Sequence, residues 1–155
     1  MTEQEATFTE LSLGTPQYIE AVELRMDVLR RPLGLDSFPE EEEKIAHYGI
    51  IWCGKIVGTV DLQRINKLTM RMRQVAVRND FRSRGLGKIL VNKSEDVAKN
   101  LGCQWMIANA RETAVGFYEK LGYDVSPNVF TEVTIPHREV RKRLSRNESA
   151  QSPPT

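Results

Sequence analysis

The residues best suited to chemistry stand together in Gln74-Val-Ala-Val-Arg-Asn-Asp-Phe-Arg82-Ser-Arg-Gly85-Leu-Gly87-Lys88. A strand-like run ends at Val77, a short polar loop follows, and Gly85 and Gly87 open a long helical pattern. Glycine at such a point lets a ligand come close to the backbone. The first amides of a helix have no intrahelical acceptor, and the helix dipole is positive at that end. Arg82, Ser83, Arg84 and Lys88 add side-chain donors, three of them charged. The combination predicts an anion site, most naturally for phosphate or pyrophosphate.

Two familiar phosphate loops do not fit. A Walker A loop needs Gly-x4-Gly-Lys-Ser/Thr, but Arg82 stands at its first glycine and Ile89 follows Gly87-Lys88. The dinucleotide fingerprint Gly-x-Gly-x-x-Gly fails at Leu90. A nucleotide-binding α/β protein is therefore disfavoured. Metal chemistry is not expected either. The two cysteines, Cys53 and Cys103, and the two histidines, His47 and His137, lack ligand spacing. Both thiols read as reduced core or near-core residues of a cytoplasmic protein.

Several elements must position this segment. A first strand spans Thr7 to Ser12, and Thr15-Pro16 caps a helix that runs to about Arg31. Ile19, Val22, Met26 and Leu29 mark its apolar face, and Pro32 and Gly34 end it. Leu33 to Lys44, with the acidic run Glu40 to Glu43, is a loop or short helix with a solvated surface. His47 to Cys53, Ile56 to Ile65 and Leu68 to Val77 form an antiparallel meander, with Gly54-Lys55 as its first turn. In the third of these strands the apolar phase changes from Leu68, Met70 and Met72 to Val75 and Val77. Either a β-bulge lies near Arg73-Gln74, or the strand is buried on both faces at its end.

A helix from Ser83 or Arg84 to Leu101 buries Leu86, Leu90, Val97 and Leu101 and stops at Gly102. Cys103 to Asn109 is a short buried strand. Thr113 to Leu121 is a helix with Ala114, Phe117, Tyr118 and Leu121 on one face. Tyr123 to Val125, Val129 to Ile135 and His137 to Leu144 read as extended, and polar 145–155 as a disordered tail. The order predicts one α/β domain over 1–144, a mixed sheet with helices on both faces.

Composition agrees. With 155 residues, 40% apolar and 28% charged, the chain is one globular domain's worth. A net charge of +1 argues against a dedicated nucleic-acid binder. No apolar run approaches the roughly 20 residues that cross a bilayer, and Met-Thr-Glu-Gln-Glu does not read as a leader. Neither nucleic acid nor membrane is expected as a partner, and a homodimer is compatible with the sequence.

The segment Arg82-x-x-Gly85-x-Gly87 resembles the acyl-CoA pyrophosphate loop of the GNAT N-acetyltransferases, Gln/Arg-x-x-Gly-x-Gly/Ala. Downstream, Ala114-x-x-Phe117-Tyr118-Glu-Lys-Leu-Gly122-Tyr123 is similar to the family's Ala-x-x-Phe-Tyr-x-x-x-Gly-Phe. The likeness covers roughly Thr7 to Leu144. Glu132-Val-Thr-Ile-Pro136-His137, with His47 opening the second strand, resembles a small subgroup whose C-terminal strand begins Gly-Ile-Pro-His; here Thr134 replaces that glycine.

The resemblance implies a mostly antiparallel sheet with two splayed central parallel strands, and an N-acetyltransferase using acetyl-CoA as co-substrate. Val75, Ala76 and Val77 would pair with the pantetheine arm, and an N–H freed by the bulge near Val75 would polarise the thioester carbonyl. Arg82, Ser83, Arg84, Gly85, Leu86, Gly87 and Lys88 would hold the pyrophosphate, and Asn109 would contact the pantetheine. Tyr118 matches the tyrosine facing the CoA sulfur, a phenol that can protonate a leaving thiolate. Its other reading is a packed core aromatic. The chain departs from many members at Arg111, where Asn or Gln is common, and offers no carboxylate on the bulged strand. The base that deprotonates the amine is therefore open among His47, Glu132, His137 and a water chain. Arg71 and Arg73 either orient an anionic acceptor or lie on a solvated strand face.

The expected reaction is direct attack of a primary amine, small-molecule or peptide, without an acyl-enzyme. The alternative is a non-catalytic CoA-binding or regulatory module of the same fold.

Overall fold

The computed structural model describes residues 6–35 and 45–144; the acidic run Glu40 to Glu43 and the tail 145–155 lie outside them. The element order is β1 (Thr7–Leu11), α1 (Pro16–Arg25), β2 (Ala46–Trp52), β3 (Lys55–Asn66), β4 (Thr69–Val77), α2 (Leu86–Asn100), β5 (Trp105–Arg111), α3 (Val115–Lys120), β6 (Asp124–Glu132) and β7 (Ile135–Arg143). The seven strands follow the sheet order β1-β2-β3-β4-β5-β7-β6. All registered pairs are antiparallel except β4 with β5. The expected mixed, mostly antiparallel α/β fold with a central parallel pair is borne out. The chain gathers into two compact units, one from Met1–Gln63 with Arg73–Ser94 and one from Arg64–Met72 with Glu95–Thr155.

In the first unit, Thr15 caps α1 as expected: its side-chain oxygen accepts from Tyr18 N at 3.2 Å. The α-helix is shorter than the predicted span. It passes into one π-helical turn over Met26–Arg30 and a 3-10 turn over Arg31–Leu33. Its buried face also differs. Ile19 is 60% exposed, whereas Ala21, Leu24, Arg25 and Met26 are buried. Leu11, Ala21, Leu24 and Ile56 form a cluster, flanked by Tyr18, Val28 and Ile51. Burying each large aliphatic side chain contributes about 1.5–3 kcal/mol. At Gly58 an added Cβ would stand 3.1 Å from Leu90 Cδ1, so α2 packs closely on β3 there.

The β2–β3 turn is one residue earlier than expected. Trp52 pairs with Lys55, and Cys53 and Gly54 both have positive φ, 56° and 77°. Two left-handed residues make the twist of a type I′ turn, which suits a hairpin better than a Gly-first turn here. Cys53 is consequently exposed, against the reading of a core thiol, whereas Cys103 is buried.

In the second unit β5 alternates half-buried and buried residues, with Met106, Ala108 and Ala110 inward. Val140 on β7 is fully buried. Gly102 closes α2, its N–H bonding to Lys99 O and that of Cys103 to Ala98 O. Leu101 is 50% exposed, contrary to expectation, because the helix ends before it. The last two strands also join differently. Ile135 opens β7 instead of ending β6, and Val133 and Thr134 turn the chain with φ of 52° and 67°.

Candidate active site

The site residues divide between the two units. In the first, the irregularity expected in β4 falls at Gln74, whose φ is 58°. Burial does not simply switch faces beyond it: Ala76 is buried while Val75 and Val77 are half-buried. The register of β4 with β5 runs from Thr69↔Trp105 to Met72↔Ala108, and both strands continue beyond it. A left-handed residue rotates the backbone at that point, as in a bulge.

The loop after β4 contains a 3-10 turn over Asn79–Phe81 and then two more left-handed residues, Ser83 at φ 66° and Gly85 at φ 78°. Gly85 caps α2: its carbonyl accepts the first helical bond, from Ile89 N at 3.1 Å. The amides of Leu86, Gly87 and Lys88 precede that bond and have no acceptor within the helix. Backbone of alternating hand followed by a helix start forms a concave set of N–H groups, an anion nest.

The charged side chains here differ in their commitments. Arg84 lies over Trp52 and Phe81, 5.5 and 5.1 Å from their ring centroids. Arg82 and Lys88 are exposed and make no ion pair among the described residues. Arg84 is thus a stacked wall of the loop, and the other two cations are available to a ligand.

His47 is 4% exposed, with Nδ1 2.8 Å from Asp61 Oδ1. The other Asp61 oxygen accepts from Arg25 Nη1 at 2.5 Å, and Tyr18 meets the imidazole edge-on. This buried Arg25–Asp61–His47 cluster escaped the sequence reading. A hint was available: Arg25 lies one turn beyond Ala21 on α1, and Asp61 interrupts the apolar run Val60-Asp61-Leu62.

In the second unit, Tyr118 is 6% exposed and packs edge-to-face on Phe117 and Tyr123. Phe117, expected in the core, is 36% exposed. Burial pushes the Tyr118 phenol up to about 12, so it stays neutral at any physiological pH. Its hydroxyl makes no hydrogen bond among the described residues. Tyr123 is different: its hydroxyl donates to Glu95 at 2.7 Å, and Lys142 Nζ lies 3.2 Å from both Glu95 oxygens. Burial, then the bond to Glu95, raises the Tyr123 phenol well above its ordinary value.

Asn109 and Glu132 meet directly, the amide donating to Glu132 Oε1 at 3.0 Å. His137 is 3% exposed, stacked near Phe130, with Nδ1 3.0 Å from Ile135 O. A carbonyl only accepts, so Nδ1 is the donor in this bond. Arg111 faces His137 across the β5–β7 ladder, and its guanidinium is lowered by burial. Among the described residues no group of three His, Cys, Asp or Glu is placed to hold a metal ion.

A parallel strand pair within an antiparallel sheet, a left-handed break in β4 and an anion nest opening the next helix together define a coenzyme A-dependent acyltransferase fold. The comparisons with known proteins agree. The sequence model of the acetyltransferase (GNAT) family matches residues 15–123. The uncharacterized protein YyaT of Bacillus subtilis is 34% identical over 112 residues, 72% of this chain and 75% of that protein. Escherichia coli ElaA superposes with a TM-score of 0.75 at 14% identity, over 89% of this chain and 99% of that one. A GNAT family acetyltransferase from Elizabethkingia anophelis, with acetyl-CoA bound, gives 0.71 at 17% identity, over 92% of this chain and 100% of that one.

The chain belongs to the acetyltransferase (GNAT) family. The expectation raised by its two motifs, an N-acetyltransferase with acetyl-CoA as co-substrate, is borne out.

Proposed function

We propose that the protein transfers the acetyl group of acetyl-CoA to a primary amine by direct attack, with the roles divided as follows. The observation that carries this reading is the loop from Arg82 to Lys88, with left-handed Ser83 and Gly85 ahead of α2. Its amides, with Arg82 and Lys88, hold the pyrophosphate. Val75, Ala76 and Val77 pair with the pantetheine, and the Val75 amide polarises the thioester carbonyl. Asn109, held by Glu132, contacts the same arm.

The amine nitrogen attacks the carbonyl carbon, the C–S bond breaks, the thiolate takes the proton of the Tyr118 hydroxyl, and the phenolate is restored by the proton that the acylated nitrogen gives up. A neutral, desolvated phenol suits that step, since it cannot have lost its proton beforehand. Before attack the ammonium form of the acceptor must give up a proton. His137 is the favoured base, because its Nδ1 donates to Ile135 O, so that in the neutral ring Nε2 is the acceptor. His47 serves the fold, its Nδ1 being committed to the Asp61 cluster. The acceptor is a small-molecule or peptide amine. Dependence on acetyl-CoA and two free cysteines support a cytoplasmic setting. No helix of the described residues is long and apolar enough to cross a membrane.

The deciding experiment is release of free thiol from acetyl-CoA with a mixed panel of primary amines. Turnover that falls by about 10²–10⁴ in Tyr118→Phe supports the reading. Tight CoA binding with no thiol release on any amine would instead make the chain a CoA-binding module.

A further inference from the structure

One face of the sheet in the second unit carries arginines that form no ion pair among the described residues. Thr69 and Arg71 of β4 stand level with Trp105 and Ile107 of β5, and these with Arg143 and Arg141 of β7. Side chains at matched positions of neighbouring strands share a face. Arg71, Ile107 and Arg141 therefore form one row across three strands. With strands about 4.8 Å apart, the two arginine backbones stand about 10 Å apart, within reach of one small anion held above Ile107.

Several arginines elsewhere in the chain are matched. Arg25 meets Asp61, Arg31 meets Glu23 and Asp27, Arg78 meets Asp80, and Arg138 meets Glu112. Among the described residues neither Arg71 nor Arg141 has such a pair. Arg71 is the more telling, because its Nε is buried and has no hydrogen-bond partner. A buried guanidinium N–H left unsatisfied is unfavourable, and it points to a ligand oxygen that completes it. Arg141 is held on this face by the Trp105 ring, 4.9 Å from its guanidinium carbon. Arg141 also lines a cavity of about 260 Å³ with Asp124, which faces it in register, and with Val125, Ser126 and Glu139.

Resting on the N-acetyltransferase reading above, we propose that the acceptor amine carries a second, anionic group, a carboxylate or phosphate, bound between Arg71 and Arg141. Of the two strand arginines singled out in the sequence, this assigns the role to Arg71. A solvated strand face does not account for its buried Nε.

The test uses the full chain saturated with CoA, so that the pyrophosphate loop is filled. Inorganic phosphate and acetate are titrated separately while the arginine Nε–H resonances are followed by NMR. The expected result is a saturable shift of the Arg71 resonance with at least one anion. Arg141→Gln should weaken it at least tenfold, or about 1.4 kcal/mol, and the response should vanish in Arg71→Gln. The stronger of the two titrations identifies the anion class. Thiol release is then compared for matched amines with and without that anion. The anionic member should have the lower KM, and Arg141→Gln should raise it for that member alone.

No Arg71 shift with either anion at about 10 mM, or equal KM values across matched pairs, would overturn the proposal and leave the acetyltransferase reading intact. An Arg71 shift with no turnover on any amine would overturn the acetyltransferase reading and, with it, the assignment of the anion to an acceptor.

Discussion

Tyr118 and Tyr123 meet edge to face with ring centroids 5.5 Å apart, yet only Tyr123 commits its hydroxyl inside the protein, to Glu95 at 2.7 Å. The two phenols are both desolvated, but only that of Tyr123 is held by a carboxylate. That contrast gives Tyr118 the stronger case for chemistry than its place in a motif alone.

Tyr118→Phe keeps the ring and its contacts with Phe117 and Tyr123, so stability should change little. Turnover should fall by about 10²–10⁴, with CoA affinity nearly unchanged. The pH dependence has a definite sign. Below the ordinary phenol value of 10.0 the neutral hydroxyl is present in both folded and unfolded chains, and Tyr118 adds no pH dependence. As pH rises from there toward about 12, the unfolded chain ionises first and the fold loses stability. Denaturant titrations of parent and variant should diverge only in that alkaline window. Turnover within about threefold of the parent, with chemistry rate-limiting, would reduce Tyr118 to a core residue.

Gly85 has φ 78° with no atom within 4 Å of an added Cβ, so a side chain there meets strain and not a clash. Gly85→Ala should cost about 1–2 kcal/mol of stability, the penalty of left-handed backbone. By distorting the nest it should weaken CoA at least tenfold, about 1.4 kcal/mol by calorimetry. Unchanged CoA affinity in the folded variant would remove the loop from the binding site.

Asp61→Ala removes the carboxylate that faces both Arg25 and His47 in a region where all three are at most 4% exposed. Loss of one partner from a buried ion pair costs about 3–5 kcal/mol. Chemical denaturation should register a loss of that order, while CoA affinity of the remaining folded protein stays near the parent's. A loss below about 1 kcal/mol would show the cluster to be solvated.

Thr134 is β-branched and left-handed, φ 67°, in the turn between Glu132 and Ile135. Thr134→Gly relieves that strain against a smaller entropic cost and should stabilise the fold by about 1 kcal/mol. A rise in the thermal midpoint at unchanged thiol release would agree, and a fall would show that the threonine side chain supports the turn.

What could be read from the sequence was whatever a few neighbouring residues decide among themselves. Thr15-Pro16 caps α1 because the hydroxyl, the fixed φ and the receiving amide lie within one turn. Gly102 ends α2, Gly85 starts it and the backbone turns left-handed at Gln74, each through local backbone geometry. The two motifs that mark the family are local in the same sense.

Tertiary structure decided everything that depends on partners remote in sequence. Arg25 and Asp61 are 36 residues apart, and His47 and Asp61 14 apart, so no spacing rule brings them together. The face of α1 that is buried was chosen by that cluster, which turned Ile19 outward although its spacing suits a core. The hairpin turn settled on Cys53-Gly54 because the ladder pairs Trp52 with Lys55, a choice made by two strands and not by the dipeptide. Tyr118 and Tyr123 look alike in sequence; Glu95, 28 residues from Tyr123 along the chain, is what separates them. Local propensity acts between neighbours along the chain, whereas burial and charge pairing act between whatever the fold brings into contact, and that difference set the boundary.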